Sequence, residues 1–136
     1  MVKELIIDST PTGVTIALIE DKYLVELHKE HINNNYAVGD IYLGRIKKIM
    51  PGLNAAFVDV GYEKDAFLHY FDLGPQVQSL IKLTKIKRNG TSSGNLLDNI
   101  KLEADINKAG KISDIVSKNL ILPVQIAKEP ISTKGP

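Results

Sequence analysis

Short stretches of alternating apolar and polar residues, separated by glycine, proline or charged turns, run through much of this 136-residue chain. The alternation predicts β-strands, because successive side chains on a strand point to opposite faces. Near the N-terminus, three such stretches lie at residues 5–7, 14–19 and 23–27, with turn residues at 10–13 and 20–22. They predict a three-stranded β-meander with one apolar face, which needs a packing partner to be stable.

The rest of the chain predicts a second group of strands. Apolar runs place them at about 40–49, 53–60, 65–70 and 120–127, and a fifth strand is expected to follow Lys134. Between the third and fourth of these strands we expect a short helix within 71–80, a long flexible loop at about 83–113, and one or two helical turns at 112–118. With 31–36 as a linker, the sequence predicts a meander domain at 1–36 and a second domain at 37–136.

The second group of strands carries aromatic side chains on the face opposite its aliphatic residues. Ala56, Val58 and Val60 share one face of their strand, whereas Phe57 lies on the other. By the same alternation, Phe67 and His69 point outward on the next strand, and Arg45 and Lys47 point outward on the preceding one. Flat rings beside positive charge suit an unpaired nucleic acid, because bases stack on rings and phosphates bind cations.

These residues resemble a known module. The pattern of Gly39, Tyr42-x-Gly44-x-Ile46-x-x-Ile49, AFVDVG at 56–61 and FLH at 67–69 resembles the S-one type RNA-binding domain, a five-stranded OB-fold barrel. Four further strings are similar to the N-terminus of a bacterial ribonuclease E/G endonuclease, closest to the ribonuclease G branch: KELIID at 3–8, IYLGRI at 41–46, AAFVD at 55–59 and KEPISTKGP at 128–136.

The resemblance implies a mainly β chain with an OB-fold barrel whose last strand is truncated. It also implies that the meander belongs to a ribonuclease H-like subdomain completed later in a longer parent chain, so that this chain is a fragment. Phe57 and Phe67 match the family's base-stacking positions, Lys134 matches its phosphate-contacting lysine, and His69 matches a histidine of many S-one modules. The implied function is single-stranded RNA binding as the substrate-gripping part of an endoribonuclease in RNA processing and decay.

The family's chemistry is magnesium-dependent hydrolysis, which needs carboxylates converging on a metal ion. The resemblance places those carboxylates beyond Pro136. Asp59, Glu63, Asp65 and Asp72 are interpreted as turn-forming or solvated residues. We therefore expect no cofactor in this chain, magnesium in the parent enzyme, and no hydrolysis by the chain alone.

Composition bears on the cellular location of the chain and on the kind of partner it binds. The chain has no cysteine, no run near the roughly 20 apolar residues of a membrane helix, and no N-terminal secretion signal, which together favour the cytoplasm and argue against a membrane partner. Residues 79–136 hold 10 basic and 5 acidic side chains, so the positive charge is concentrated there. A cluster at Lys82, Lys85, Lys87 and Arg88 either attracts a polyanion or is a solvated surface.

Several alternatives stay open from the sequence alone. Phe57 and Phe67 could be core residues covered by 71–80 or by the long loop, and Arg45 and Lys47 could be an ordinary solvated strand face. His69 could face solvent or bond a local carbonyl, and Lys134 could be frayed. The second functional hypothesis is an interaction module that holds the parent's domains or a homo-oligomer together, with minor RNA contact. A third, a noncatalytic translation-associated RNA binder, is disfavoured by the meander.

Overall fold

The structure is a computed structural model that describes residues 1–32, 35–90, 101–131 and 133–136. The chain is mainly β and divides into two compact units, Met1–Asn35 and Tyr36–Pro136. Part of the predicted linker (33–34) and part of the predicted loop (91–100) lie outside the described residues. No helix within the described ranges is long and apolar enough to cross a membrane.

The first unit is a three-stranded antiparallel meander. It consists of β1 (Lys3–Thr10), β2 (Gly13–Glu20) and β3 (Tyr23–His31), in the order β1-β2-β3. Each strand is longer than the apolar run that predicts it. The register pairs Leu5 with Leu18 on one face, and Ile6 with Ala17 and Leu27 on the other. The single apolar face expected from the sequence is therefore wrong, because large apolar side chains occupy both faces of the sheet.

The second unit is built on a four-stranded antiparallel sheet. Its strands are β4 (Ile41–Met50), β5 (Ala55–Asp59), β6 (Ala66–His69) and β7 (Ile121–Gln125), arranged in the order β6-β5-β4-β7. Helix α1 (Val77–Arg88) follows β6 in the chain and packs near β7. The largest fully buried side chains are Ile46, Val58, Ile112 and Val116, which come from β4, β5 and the segment before β7.

Helix α1 is a correction to the sequence prediction. It ends at Arg88, so residues 83–88, predicted as the start of a flexible loop, are helical. Val77, Ile81 and Thr84 are buried at helical spacing, and this one narrow stripe holds the lysine-rich helix against the core. A helical pattern that consists of only three buried residues is easily overlooked in the sequence. The helical turns predicted at 112–118 reduce to a 3-10 turn, Ile112–Asp114, for which Ser113 is not the cap.

Residues after the undescribed part of the loop are tied back to α1. The backbone N–H of Glu103 donates to Ser79 Oγ at 2.8 Å, and Lys82 Nζ lies 3.2 Å from the Glu103 carboxylate. The N–H of Ile106 donates to the Pro75 carbonyl at 3.0 Å. Residues 101–106 therefore run along the helix rather than away from the unit.

Gly44 allows three strands to pack closely at the centre of the sheet. A Cβ at this position would lie 2.6 Å from Val58 Cγ1 and 3.2 Å from Val124 Cγ2. Both valines pack in or against the core from the strands that flank β4. The absence of a side chain at Gly44 is therefore part of the packing between β5 and β7.

We expect Gly44→Ala to lower the free energy of unfolding by about 1–3 kcal/mol, the usual effect of overpacking a core. Gly52→Ala is the control, because a Cβ there meets nothing within 4 Å. Urea denaturation followed by circular dichroism compares the two variants with the parent chain. Equal midpoints for the two variants would show that the valines yield without loss of stability.

Candidate nucleic-acid interface

Two phenylalanine rings lie side by side on the face of the sheet that points away from the core. On β5, Ala56 and Val58 are buried in the core, whereas Phe57 faces the opposite side and is half-buried. Phe67 on β6 is its direct cross-strand partner and is 49% exposed. The ring centroids are 5.9 Å apart with an interplanar angle of 66°, an edge-to-face pair.

His69 has a structural bond as well as a place in the aromatic row. It lies two residues after Phe67, so both side chains are on the same face of β6. Its Nδ1 accepts the backbone N–H of Phe71 at 3.0 Å, and Asp72 Oδ2 accepts the N–H of His69 at 3.1 Å. These reciprocal bonds cap the 3-10 helix Tyr70–Asp72. The local partner of Nδ1 is a backbone N–H, whereas the sequence analysis considered a backbone carbonyl as partner of the ring.

This bond decides which nitrogen of His69 can contact a ligand. An Nδ1 that accepts a hydrogen bond carries no proton, so the neutral ring carries its proton on Nε2. The imidazole therefore presents an N–H donor on the side away from the 3-10 helix. A base or phosphate oxygen is a suitable acceptor for it.

Phe71 is a fourth ring of this face that the sequence reasoning missed. Its side chain is 76% exposed, and its ring centroid lies 4.7 Å from that of His69. The prediction placed residue 71 at the start of a helix, where no strand alternation applies. The available signal was an aromatic residue two positions after an outward-facing histidine. We define the aromatic row as Phe57, Phe67, His69 and Phe71.

A β-bulge brings an additional cation to the row. The register of β4 against β5 shifts between Ile46 and Lys48, so that Lys48 pairs with Phe57. Ile46 and Ile49 contribute to the core, and Lys47 and Lys48 between them are both exposed. Strict alternation would turn Lys48 inward, which is why the sequence prediction omitted it. The spacing of three between the two isoleucines is the signal of the extra residue.

The predicted cations Arg45 and Lys47 are both exposed on β4, each near a carboxylate. Arg45 is the cross-strand partner of Asp59. Lys47 Nζ lies 3.3 Å from Asp65 Oδ1, a solvent-exposed ion pair. An open cavity of about 440 Å³ is lined here by Lys47, Phe57, Glu63, Lys64 and Asp65. The carboxylates partly neutralise the cations that would meet phosphate.

Lys134 lies in a turn next to the edge of β6. Its backbone exchanges hydrogen bonds with Ile131 at 3.0 and 3.1 Å, and its side chain is exposed. Two residues later, the Pro136 carbonyl accepts the N–H of Phe67 at 2.9 Å. The segment that holds Lys134 is thus joined to the strand that holds Phe67, rather than extending freely from the unit.

Three acidic residues near the row have structural partners. Asp59 Oδ1 accepts the N–H of Gly61 at 2.9 Å and so stabilises the turn after β5, while Asp65 pairs with Lys47 and Asp72 caps the 3-10 helix. In the described ranges, no three His, Cys, Asp or Glu side chains come together as a metal ion requires. The described residues therefore hold no such ligand set for the metal that the resemblance implies.

Comparison with known proteins supplies the family. No protein-family profile matches the chain. Ribonuclease G of Salmonella typhimurium is 33% identical over 135 residues, covering 99% of this chain and 24% of the relative. Ribonuclease G of Haemophilus influenzae is 35% identical over 132 residues, covering 97% of this chain and 23% of the relative. Ribonuclease E of Synechocystis sp. is 35% identical over 100 residues, covering 73% of this chain and 11% of the relative.

The chain belongs to the ribonuclease E/G family. The resemblance inferred from the sequence motifs is confirmed. The ribonuclease G relatives match nearly the whole chain, whereas the ribonuclease E relative matches about three quarters of it. The chain spans about a quarter of the length of the ribonuclease G relatives.

The bond between His69 Nδ1 and the Phe71 N–H predicts a stability effect independent of any ligand. We expect His69→Ala to lower the free energy of unfolding by about 1 kcal/mol, because the 3-10 helix loses its capping acceptor. His69→Asn should stay within a few tenths of a kcal/mol of the parent chain, since its Oδ1 replaces Nδ1. Urea denaturation measures the stability of both variants. If both are as stable as the parent chain, the His69 side chain does not stabilise the fold and any role it has is in ligand contact.

Proposed function

We propose that this chain is the substrate-gripping module of a ribonuclease E/G type endoribonuclease and binds single-stranded RNA in the cytoplasm. The aromatic row is the observation that supports this most strongly. Its four side chains lie on the outward face of β5, on β6 and directly after β6, and two of them, Phe67 and Phe71, keep about half or more of their surface exposed. Such residues give up contact with water when a base stacks on them.

The arrangement favours single strands over duplexes. A ring can stack only on a base whose face is free, and duplex bases already stack on one another. The cations of β4 lie beside the rings, with Lys48 directly opposite Phe57. A strand that stacks its bases on the row therefore has its phosphates within reach of Arg45, Lys47 and Lys48. Lys134, beside the β6 edge, adds a positive charge on the side of the rings opposite to β4.

The strand order supports an OB-type barrel for this module. In the order β6-β5-β4-β7, β6 and β7 are the two outer strands, and a fifth strand between them would close the sheet. The hydrogen bond from Phe67 to Pro136 supports the proposal that chain following Lys134 forms this strand. Closure would place Lys134 at the start of a strand beside Phe67.

Two further proposals concern the parent enzyme. The meander, with Leu5, Ile7 and Leu27 more than half exposed on its two faces, would pack against the remainder of the nuclease as a ribonuclease H-like subdomain. The catalytic carboxylates and magnesium would belong to that remainder. The same apolar faces favour the second candidate function, a module that also stabilises contacts between domains or subunits.

Alanine substitution of the rings tests the binding function. Phe67→Ala and Phe57→Ala should each weaken binding of a labelled ~10-nucleotide single-stranded RNA by about 1–3 kcal/mol, the usual contribution of one stacked base. Fluorescence anisotropy at two salt concentrations, with a duplex of equal length as competitor, measures the effect. Tyr23→Ala is the matched control, because Tyr23 is an aromatic residue 78% exposed on β3, in the other unit.

Because Phe57 is half-buried, Phe57→Leu separates stacking from packing. Leucine keeps most of the apolar volume but has no ring, so affinity should fall while the urea midpoint stays near that of the parent. If the alanine and leucine variants bind RNA as the parent does, the row does not stack bases, and the interaction module becomes the better description.

The ion pair between Lys47 and Asp65 predicts a gain of function. Asp65→Asn removes a negative charge beside the row and releases Lys47 to meet a phosphate. We expect RNA affinity to rise about two- to fivefold at low salt, the size of one exposed ionic interaction. The dependence of affinity on salt should steepen by about 0.7 in log–log slope if one more phosphate contact forms.

Glu4→Gln is the control for net charge, since Glu4 is an exposed carboxylate on β1, in the first unit. It changes the charge of the chain by the same amount without altering the pair. If RNA affinity rises equally in Asp65→Asn and Glu4→Gln, the effect is due to net charge alone, and it gives no support for a role of Lys47 in binding.

A further inference from the structure

A second basic feature of the same unit is separate from the aromatic row. An open cavity of about 260 Å³ lies between the last turn of α1 and residues 117–121. Its cationic lining residues are Lys85, Arg88 and Lys118. Its polar lining residues include Asn89, Ser117 and Asn119. No Asp or Glu of the described ranges lines this cavity, which sets it apart from the cavity beside Lys47.

The three cations of this cavity have no carboxylate partner in the part of the chain that the structure describes. Among the lysines of the described ranges that do form ion pairs are Lys3, Lys47 and Lys82. Lys82 is on the same helix as Lys85, and it pairs with Glu103 at 3.2 Å. The positive charge at the end of α1 is therefore left available to an anion from outside.

The helix dipole explains only part of the cluster. Cations are favourable in the last turn of a helix, which accounts for Lys85, Lys87 and Arg88 as a group. It does not account for Lys118, which follows in the chain 30 residues after Arg88 and reaches the cavity through tertiary structure. The dipole also does not explain why Lys85 and Arg88 line the cavity whereas Lys87, in the same helical turn, does not.

The register connects this cavity with the outward face of the sheet. Ile121 lines the cavity and is the cross-strand partner of Arg45 on β4. Leu122 is buried in the core, so Ile121 faces the outward side, as Arg45 does. From β6 to β7 the sheet has three strand spacings, about 14 Å across. A single strand of RNA can cross that distance within one bound segment.

We propose that this cavity is a phosphate-binding subsite for the same RNA strand whose bases stack on the aromatic row. The proposal rests on the proposed function. Arg88 offers a planar fork of donors to two phosphate oxygens, and Lys85 and Lys118 add point charges. The side chains of Asn89, Ser117 and Asn119 supply neutral donors. No carboxylate of the described ranges lines the site to repel the phosphate.

RNAs of two lengths distinguish binding at the aromatic row from binding at the cavity, because only the longer RNA is expected to contact both. We would measure binding of labelled oligouridines of about 4 and about 12 nucleotides to the parent chain, Lys118→Gln, Arg88→Gln and the control Lys87→Gln. For the longer RNA, the first two variants should weaken binding about three- to tenfold at low salt, the effect of one charge-assisted contact. The salt dependence should flatten by about 0.7 in log–log slope. The shorter RNA and the control should show little change.

A direct probe of the cavity is a titration with inorganic tripolyphosphate, followed by the backbone amide NMR signals of Asn89 and Asn119. We expect saturable shifts in the parent chain and in Lys87→Gln, and much smaller shifts in Lys118→Gln. Phe67→Ala should leave these shifts unchanged, because the ring is not part of the cavity.

The outcomes distinguish this proposal from the proposed function. If RNA binding depends on Phe67 but Lys118→Gln and Lys87→Gln behave alike with the longer RNA, the subsite is wrong and the proposed function stands. If neither RNA binds the parent chain, both are overturned. If a polyglutamate peptide competes with tripolyphosphate for the cavity and the longer RNA does not, the partner is an acidic protein and the RNA subsite is wrong.

Discussion

The second unit depends on how the central strand β4 is held at Ile46. This side chain is completely buried, and the residue pairs with Val58 on β5. Its backbone N–H donates to the Leu120 carbonyl at 2.8 Å, and its carbonyl accepts from the N–H of Asn119 at 2.7 Å. One residue thus joins the hairpin of β4 and β5 to a segment more than 70 positions later in the chain. Because a buried backbone group without a partner is costly, this junction fixes where β4 lies against both neighbours.

The chemistry of the outward face follows from that junction. The bulge begins directly after Ile46, and it allows Ile49 to return to the core while Lys47 and Lys48 both stay in solvent. Lys48 reaches a position opposite Phe57 only because of this extra residue. On the other side of β4, Asn119 and Leu120 carry Lys118 into the cavity at the end of α1. The same constraint therefore positions cations on both sides of β4.

The aromatic row shows how structural roles and the proposed binding role share the same residues. His69 uses Nδ1 to cap the turn after β6, which leaves its Nε2–H and the neighbouring Phe71 ring on the surface. Phe57 packs against Phe67 and so keeps the more exposed ring in a fixed orientation. A surface in which each ring is supported by a neighbour loses little conformational entropy when a ligand binds, which favours stacking by a module of modest size.

The sequence by itself determined the strand-rich architecture, the outward position of Phe57 and Phe67, and the family. These depend on local alternation and on short motifs, and both can be read without knowledge of distant contacts. Only the tertiary structure decided the position of Lys48, the proximity of Phe71 to His69, the length of α1 and the convergence of Lys118 with Arg88. Each of these depends on contacts between residues far apart in the chain or on a break in the two-residue period. A bulge, a narrow buried stripe and a cavity between two elements are settled by packing, and local alternation does not record packing.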